Sequence, residues 1–261
     1  MIDNTAFKKE LEERVKEINA GIAGYLPEEK GCQKTIFEAM NYSMNAGGKR
    51  LRPLLMQEVC RLFTGEVSEI VKPFMAAIEM IHTSSLVHDD LPCMDDDMIR
   101  RGKASTWAEY GEDIGVLAGD ALMMYAFETA SKAFDAAEDA DALLRAGKAM
   151  GILAAKTGVY GMIGGQTVDV ELAGGPVPKD KLDFIYRLKT GALLQAAMLI
   201  GAVLGGAADE DCKIVEDLAG KVGLAFQIQD DILDVTGDAS VTGKAAGSDE
   251  KNQKTTYVTL E

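Results

Sequence analysis

The sequence predicts an all-α fold in a single domain, and three observations carry that reading. Apolar residues recur at helical spacing almost throughout the 261 residues. No segment alternates with period two for long, as a half-buried strand would. The chain has only six prolines, and no stretch rich in Gly, Ser or Pro divides it.

The elements follow in order. Residues 3–23 form a charged amphipathic helix. The loop "GYLPEEKG" separates it from a helix over 33–45, and "NAGGKRLRP" leads into a helix over 51–64. After "FTGEVSE" comes 71–91, which carries few charges before its end. A short segment over 105–109 precedes helices over 115–135, 139–157 and 162–173. The loop "LAGGPVPKDK" introduces 179–205, and "LGGAADED" introduces 209–235. Segments 71–91 and 215–235 are apolar on most sides, which predicts that both lie in the centre of the domain.

Composition narrows the function. Lys and Arg total 27 against 42 Asp and Glu, a net charge of −15. Such a chain does not attract nucleic acid. It also repels acidic small molecules unless local basic residues or bound cations reverse the field. The four cysteines (Cys32, Cys60, Cys93, Cys212) show no CxxC spacing, so a zinc cluster is not expected and free thiols in a reducing compartment are. The first residues read as a helix and not as a signal peptide. No run of about 18 apolar residues stands out as a membrane span. The expectation is a cytoplasmic protein.

Both central segments end in carboxylates. The first does so in "HDDLPCMDDD", where Asp89 and Asp90 close the helix and Asp95 follows in a loop. The second does so in "QDDILDVTGD", where Asp230 and Asp234 share a helical face with Asp231 beside them. Carboxylates at a helix C-terminus oppose the macrodipole, and crowding them adds repulsion. An acidic run is usually a solvated cap. Two runs that each end an apolar helix are better explained by a hard divalent cation such as Mg²⁺, which takes a few carboxylate oxygens and leaves its other positions to water or phosphate.

Positive charge gathers at a few places in this acidic chain. "GGKRLRP" sets Lys49, Arg50 and Arg52 after a glycine pair at a helix start, where backbone amides favour phosphate. "MIRRGK" sets Arg100, Arg101 and Lys103 just after the first acidic run. Lys189 with Thr190, Lys244 and Lys254 are further candidates. A single lysine is ordinarily a surface ion pair. The combination of carboxylate pairs with clustered cations suits a polyphosphorylated ligand bridged by Mg²⁺.

These stretches, together with "GDAL", "GGQTVDV", "KTGALL" and "TGKAAGSDEKNQKTTYV", resemble the trans-prenyl diphosphate synthases of the bacterial farnesyl and geranylgeranyl type. They run in family order from residue 47 to 258. The resemblance implies a helical bundle around a central cavity, the isoprenoid synthase fold, and a homodimer. It implies condensation of isopentenyl diphosphate with an allylic diphosphate (dimethylallyl, geranyl or farnesyl), with three Mg²⁺ between the aspartate motifs. The allylic diphosphate ionises, the isopentenyl double bond attacks the cation, and a proton is lost. The products would be farnesyl or geranylgeranyl diphosphate.

Carried over by position, Asp89, Asp90 and Asp95 match the metal site of the first motif, and Asp230, Asp231 and Asp234 that of the second. Lys49, Arg52, His82 and Arg101 match the isopentenyl diphosphate site. Arg100, Lys189, Thr190, Gln227 and Lys244 match the allylic diphosphate site, with Lys254 adding to it. Lys189, Thr190 and Gln227 also face the cation, and Gln166 with Asp169 form a polar pair near the metals. A lone His in an apolar helix is commonly a core residue, but His82 lies two helical turns before Asp89 on the same face. Ser84, with Ser85 beside it, stands where relatives making the shorter product carry an aromatic floor. It lies about 7.5 Å along the helix from Asp89, so a serine there is expected to admit the longer product.

The family pattern runs on for a helix or so past Glu261, so a domain lacking its last C-terminal helices is expected. A terpene cyclase of the same fold would need neither Lys49, Arg52 nor Arg101. A non-catalytic prenyltransferase subunit would lose one aspartate motif. A helical acidic interaction protein would show no Mg²⁺-dependent binding of diphosphates.

Overall fold

The structure, a computed structural model, describes residues 4–236 and 255–260. Helices α1 (Asn4–Ala23), α2 (Lys34–Met44), α3 (Leu51–Thr64) and α4 (Val71–Asp89) are followed by a two-stranded hairpin, β1 (Ile99–Arg100) and β2 (Lys103–Ala104). Then come α5 (Thr106–Tyr110), α6 (Glu112–Asp135), α7 (Ala140–Thr157) and α8 (Met162–Glu171). Helix α9 (Lys179–Ile185) runs through a π turn (Tyr186–Thr190) into α10 (Gly191–Leu204). Helix α11 (Asp209–Thr236) and the short α12 (Tyr257–Leu260) complete the described chain.

Local chemistry accounts for several boundaries. Asp139 caps α7, its side chain accepting from the Ala142 amide at 2.7 Å. Gly65 ends α3 in the left-handed region, φ 78°. Pro92 stops α4 at Asp89, two residues short of the expected 91. The hairpin was not legible as period-two alternation because each strand is only two residues long. Its turn, Arg101–Gly102, has positive φ at both positions, 52° and 77°, as hairpin turns matching strand twist require.

The core is built around two helices. Helix α4 packs along α6, which offers it a row of small residues including Ala118, Ala126, Ala130 and Ala133. Helix α10 lies against α3, α7 and α11, and every residue of it except Gln195 is buried. Burying Leu193, Leu194, Ile200 and Leu204 contributes about 1.5–3 kcal/mol each.

Two sequence expectations are corrected here. The second central helix is α10, not the segment 215–235. Helix α11 buries Val215 and Ala219 toward its neighbours but leaves Ile214 and Leu218 exposed. Its apolar content is two-sided while its packing is one-sided. Second, the continuous helix Lys179–Leu204 is long and apolar enough to cross a membrane by length and composition. Its apolar window is 72% buried within the bundle, as expected of a core helix.

Close helix packing requires Gly201. A Cβ there would lie 2.3 Å from the Met56 carbonyl oxygen on α3. The substitution Gly201→Ala is therefore expected to destabilise the chain by about 1–3 kcal/mol. Gly147→Ala, exposed on α7 with nothing within 4 Å of a Cβ, should instead stabilise by about 0.5–1 kcal/mol. Urea unfolding of both variants checks the opposite signs.

Candidate active site

A cavity of about 660 Å³ opens between α4, α6, α8 and the α9–α10 helix. Helix α4 lines it with His82, Ser85, Leu86 and Asp89, spaced i, i+3, i+4, i+7 along one face. Helix α8 adds Met162, Ile163, Gln166 and Val170, and α6 adds Val116, Asp120 and Met123. The walls are mainly apolar, with a small number of polar and charged groups among them, as in small-molecule sites.

At the end of α4 the two adjacent aspartates part. Asp89 lines the cavity, and its Oδ1 accepts from Gln166 Nε2 at 2.7 Å. The loop folds back so that the Asp95 amide donates to the Asp89 carbonyl at 2.9 Å, which keeps the two residues together. Asp90 is buried and ion-paired with Arg100, whose Nε donates to Asp90 Oδ1 at 2.8 Å. Burial pushes the Asp90 carboxyl above the usual carboxylate range, against the pull of Arg100. Arg100 Nη2 also reaches Asp97 Oδ2 at 3.2 Å. The pair fixes the hairpin to α4, and neither Asp90 nor Arg100, expected at the metals and the allylic diphosphate, lines the cavity.

Opposite Asp89, the π turn presents Lys189 and Thr190 to the cavity. Lys189 Nζ donates to Asp169 Oδ2 at 2.5 Å. Burial lowers the proton affinity of Lys189, but Asp169, Asp89 and Asp95 outweigh it and the ammonium is held above its ordinary value. That result places Lys189 within the field of all three carboxylates. Thr190 Oγ1 bonds Gln227 Oε1 on α11 at 2.7 Å, and Gln227 Nε2 bonds Asp231 Oδ1 at 3.1 Å. Gln227 itself does not line the cavity.

The second acidic run divides like the first. Asp230 is exposed, whereas Asp231 is buried and accepts from the Tyr186 hydroxyl, the Tyr257 amide and Gln227. Asp234 follows Asp230 by one turn in α11. Lys244 and Lys254 lie outside the described residues. Among the described residues no three His, Cys, Asp or Glu side chains converge as a metal cage.

A cationic cluster lies beside the acidic mouth. Lys49 sits 5.9 Å over the Phe226 ring. Arg101 donates to the Gly47 carbonyl and packs where a Cβ at Gly48 would stand, 2.8 Å from its guanidinium; Gly48 itself has φ 133°. Arg52 and His82 line the cavity, and Arg52 Nε is buried without a partner among the described residues. Burial and the neighbouring Arg101 lower the Arg52 pKa, with Glu79 opposing. His82 is held well below 6.5, first by burial and then by Arg52, Arg101, Arg50 and Arg100. A neutral imidazole among guanidinium groups with an unpartnered donor is a site prepared for an anion.

From the sequence, Arg50 is only one member of a basic cluster and Glu79 has no role. Arg50, at φ 48°, is buried and bonds Asn19 Oδ1 at 2.7 Å, Met44 O at 2.6 Å and Glu79 Oε1 at 2.8 Å. It ties α1, α2 and α4 to the start of α3 and so places Lys49 and Arg52 on either side of it. Glu79 was visible as the lone carboxylate inside "MAAIEMIH". Of Ser84 and Ser85, expected together to leave room for the longer product, Ser84 is fully buried and bonds Ile81 O at 2.8 Å, and Ser85 lines the cavity.

The sequence model of the polyprenyl synthetase family matches residues 33–261. The large subunit 1 of the heterodimeric geranylgeranyl pyrophosphate synthase of Arabidopsis thaliana chloroplasts is 46% identical over 225 residues, 85% of this chain and 60% of that protein. The farnesyl diphosphate synthase of Geobacillus stearothermophilus is 40% identical over 250 residues, 96% of this chain and 82% of that one. The crystal structure of a Helicobacter pylori geranyltransferase complexed with magnesium and isoprenyl diphosphate superposes with a TM-score of 0.83 at 31% identity, covering 99% of this chain and 84% of that chain.

The depressed affinity of His82 has a measurable sign. The unfolded chain takes up this proton below pH 6.5, whereas the folded chain does so only at much lower pH. The His82 contribution to stability is therefore lost as pH drops below 6.5. Urea unfolding at about pH 7.5 and about pH 5.5 should show a smaller loss for His82→Gln than for the parent. An unchanged loss would contradict the burial of a neutral imidazole.

Proposed function

The chain belongs to the polyprenyl synthetase family, and from that premise we propose that it is a short-chain trans-prenyltransferase joining isopentenyl diphosphate to an allylic diphosphate. The observation that carries this reading is the cavity itself: mainly apolar walls set against a few charged and polar groups, Asp89, Lys189, Arg52 and His82 among them. An allylic substrate has the same division, an apolar tail and a highly charged head.

Asp89, Asp95 and Asp230 would hold Mg²⁺ on the allylic diphosphate. Bound there, Mg²⁺ supplies Lewis-acid stabilisation of the charge that grows on the leaving diphosphate. Gln166 orients the Asp89 carboxylate, and Lys189 adds a fixed positive charge on the same side. As the allylic C–O bond breaks, the diphosphate leaves with the electron pair. The isopentenyl double bond attacks the resulting cation to form the new C–C bond, and a proton is lost. Lys49, Arg52, Arg101 and neutral His82 hold the isopentenyl diphosphate beside it. Apolar walls from Leu86, Met123, Met162 and Ile163 keep water from the cation. Arg100, already held by Asp90 and Asp97, fixes the hairpin that presents Arg101.

No Phe, Tyr or Trp lines the cavity among the described residues, which supports geranylgeranyl diphosphate as the product. A homodimer is supported by α6, which leaves Leu117 and Met124, seven apart on one face, 54% and 69% exposed. Four free thiols support a cytoplasmic setting.

The test is incubation with Mg²⁺, radiolabelled isopentenyl diphosphate and each allylic starter, with chromatography of the dephosphorylated products. Geranylgeraniol is the expected end product. Ser85→Phe should shorten it, whereas Ser84→Tyr, at a fully buried position, should lower stability by about 1–3 kcal/mol. Absence of any incorporation would favour the non-catalytic subunit reading.

A further inference from the structure

We infer that Asp231 is a positioning residue that sets the direction of a hydrogen-bond relay ending at Thr190, so that the Thr190 hydroxyl turns its lone pairs toward the cavity. This rests on the prenyltransferase reading, in which positive charge develops in that cavity.

The sequence places Asp231 with the metal ligands, yet its carboxylate is 2% exposed and already engaged. Its Oδ2 accepts from the Tyr186 hydroxyl at 2.5 Å and from the Tyr257 amide at 3.2 Å. Its Oδ1 accepts from Gln227 Nε2 at 3.1 Å. A carboxylate accepts and does not donate, so only the NH₂ side of the Gln227 amide can face it. That leaves Gln227 Oε1 facing Thr190 Oγ1 at 2.7 Å. Between two oxygens, one of them an amide carbonyl, the hydroxyl must supply the hydrogen. The Thr190 proton is thereby directed at α11, away from the space it lines, and its lone pairs are left for the cavity.

The relay thus runs from Thr190 to Gln227 to Asp231, each donor pointing toward the buried charge. Tyr186 and Thr190 are the first and last residues of the π turn, and both are tied to the same stretch of α11. π turns of this kind often mark functional sites. An oxygen dipole held in this sense favours a cation in a dry cavity and needs no reorganisation when the charge appears. Gln227 does not line the cavity, so it acts through Thr190 and is likewise a positioning residue. Asparagine at 231 breaks the logic. Its NH₂ would turn the Gln227 carbonyl toward itself, the Gln227 NH₂ toward Thr190, and the Thr190 hydrogen into the cavity.

The experiment compares full-length Asp231→Asn, Gln227→Leu, Thr190→Val, the Asp231→Asn/Thr190→Val double variant and Asp230→Asn with the parent. It reads kcat, both diphosphate KM values and the Mg²⁺ concentration for half-activation. Asp231→Asn should lose about a hundredfold in kcat, with both KM values and the Mg²⁺ requirement unchanged. Asp230→Asn should raise the Mg²⁺ requirement. In the Thr190→Val background Asp231→Asn should cost nothing further, because the relay has already lost its end. If Asp231→Asn does not fold, Gln227→Leu and Thr190→Val carry the test, and their effects should not add. A raised Mg²⁺ requirement in Asp231→Asn, an unchanged kcat, or additive losses would overturn the relay while leaving the prenyltransferase reading intact. A parent chain that condenses no substrate would overturn that reading and the relay with it.

Discussion

The C-terminal end of α4 places carboxylates where a helix least tolerates them, at the negative pole of a dipole and against an apolar core. Asp90 and Asp89 resolve that constraint differently. Asp90 is neutralised from within by Arg100, and removing Arg100 would leave a buried charge uncompensated, typically a cost of about 3–5 kcal/mol. Because Arg100 lies in the first strand of the hairpin, the same contact sets where the turn presents Arg101, and the Trp107 indole holds the loop through the Asp97 carbonyl at 3.0 Å. Asp89 keeps its place on the cavity wall, where it accepts from the Gln166 amide and acts on Lys189 and Arg100. Much of the site follows from this division: one acid builds the wall, and its neighbour serves the cavity.

The second acidic run repeats the arrangement on α11. Asp231 is consumed by internal donors, and Asp230 is left exposed. Behind the cationic cluster, Glu79 is to Arg50 what Arg100 is to Asp90, a buried countercharge that fixes a backbone turn. Asp89, Asp230, Lys49 and Arg101 are thus each neighboured in sequence by a charge of the same sign with a structural task. This is a physical reason for doubled residues such as "DD" and "KR" at a site of this kind: the first member needs a rigid support, and the adjacent position is the nearest place to anchor one.

Much of this was legible in the sequence, because helical periodicity survives in every long segment and the acidic and basic runs sit at helix ends. What was not legible depends on phase and partnership. Asp89 and Asp90 are indistinguishable as letters; which one faces the cavity depends on a rotation of one residue, roughly 100° about the helix. The same rotation separates Ser85, which lines the cavity, from Ser84, which does not. The π turn at Tyr186–Thr190 inserts a phase shift that a strict 3.6-residue pattern cannot show. Helices α10 and α11 are both apolar, and only the position of their neighbours reveals that α10 is enclosed while α11 keeps an open side.

The central claim is that the carboxylates at the cavity mouth and the nearby cations bind a diphosphate jointly through Mg²⁺. The most direct measurement is the thermal unfolding midpoint of the chain with inorganic pyrophosphate, with Mg²⁺, with both, and with both plus EDTA. Stabilisation by the two together, well beyond the sum of each alone and abolished by EDTA, is the result this account requires. Equal stabilisation by pyrophosphate without Mg²⁺, or none under any condition, would contradict it.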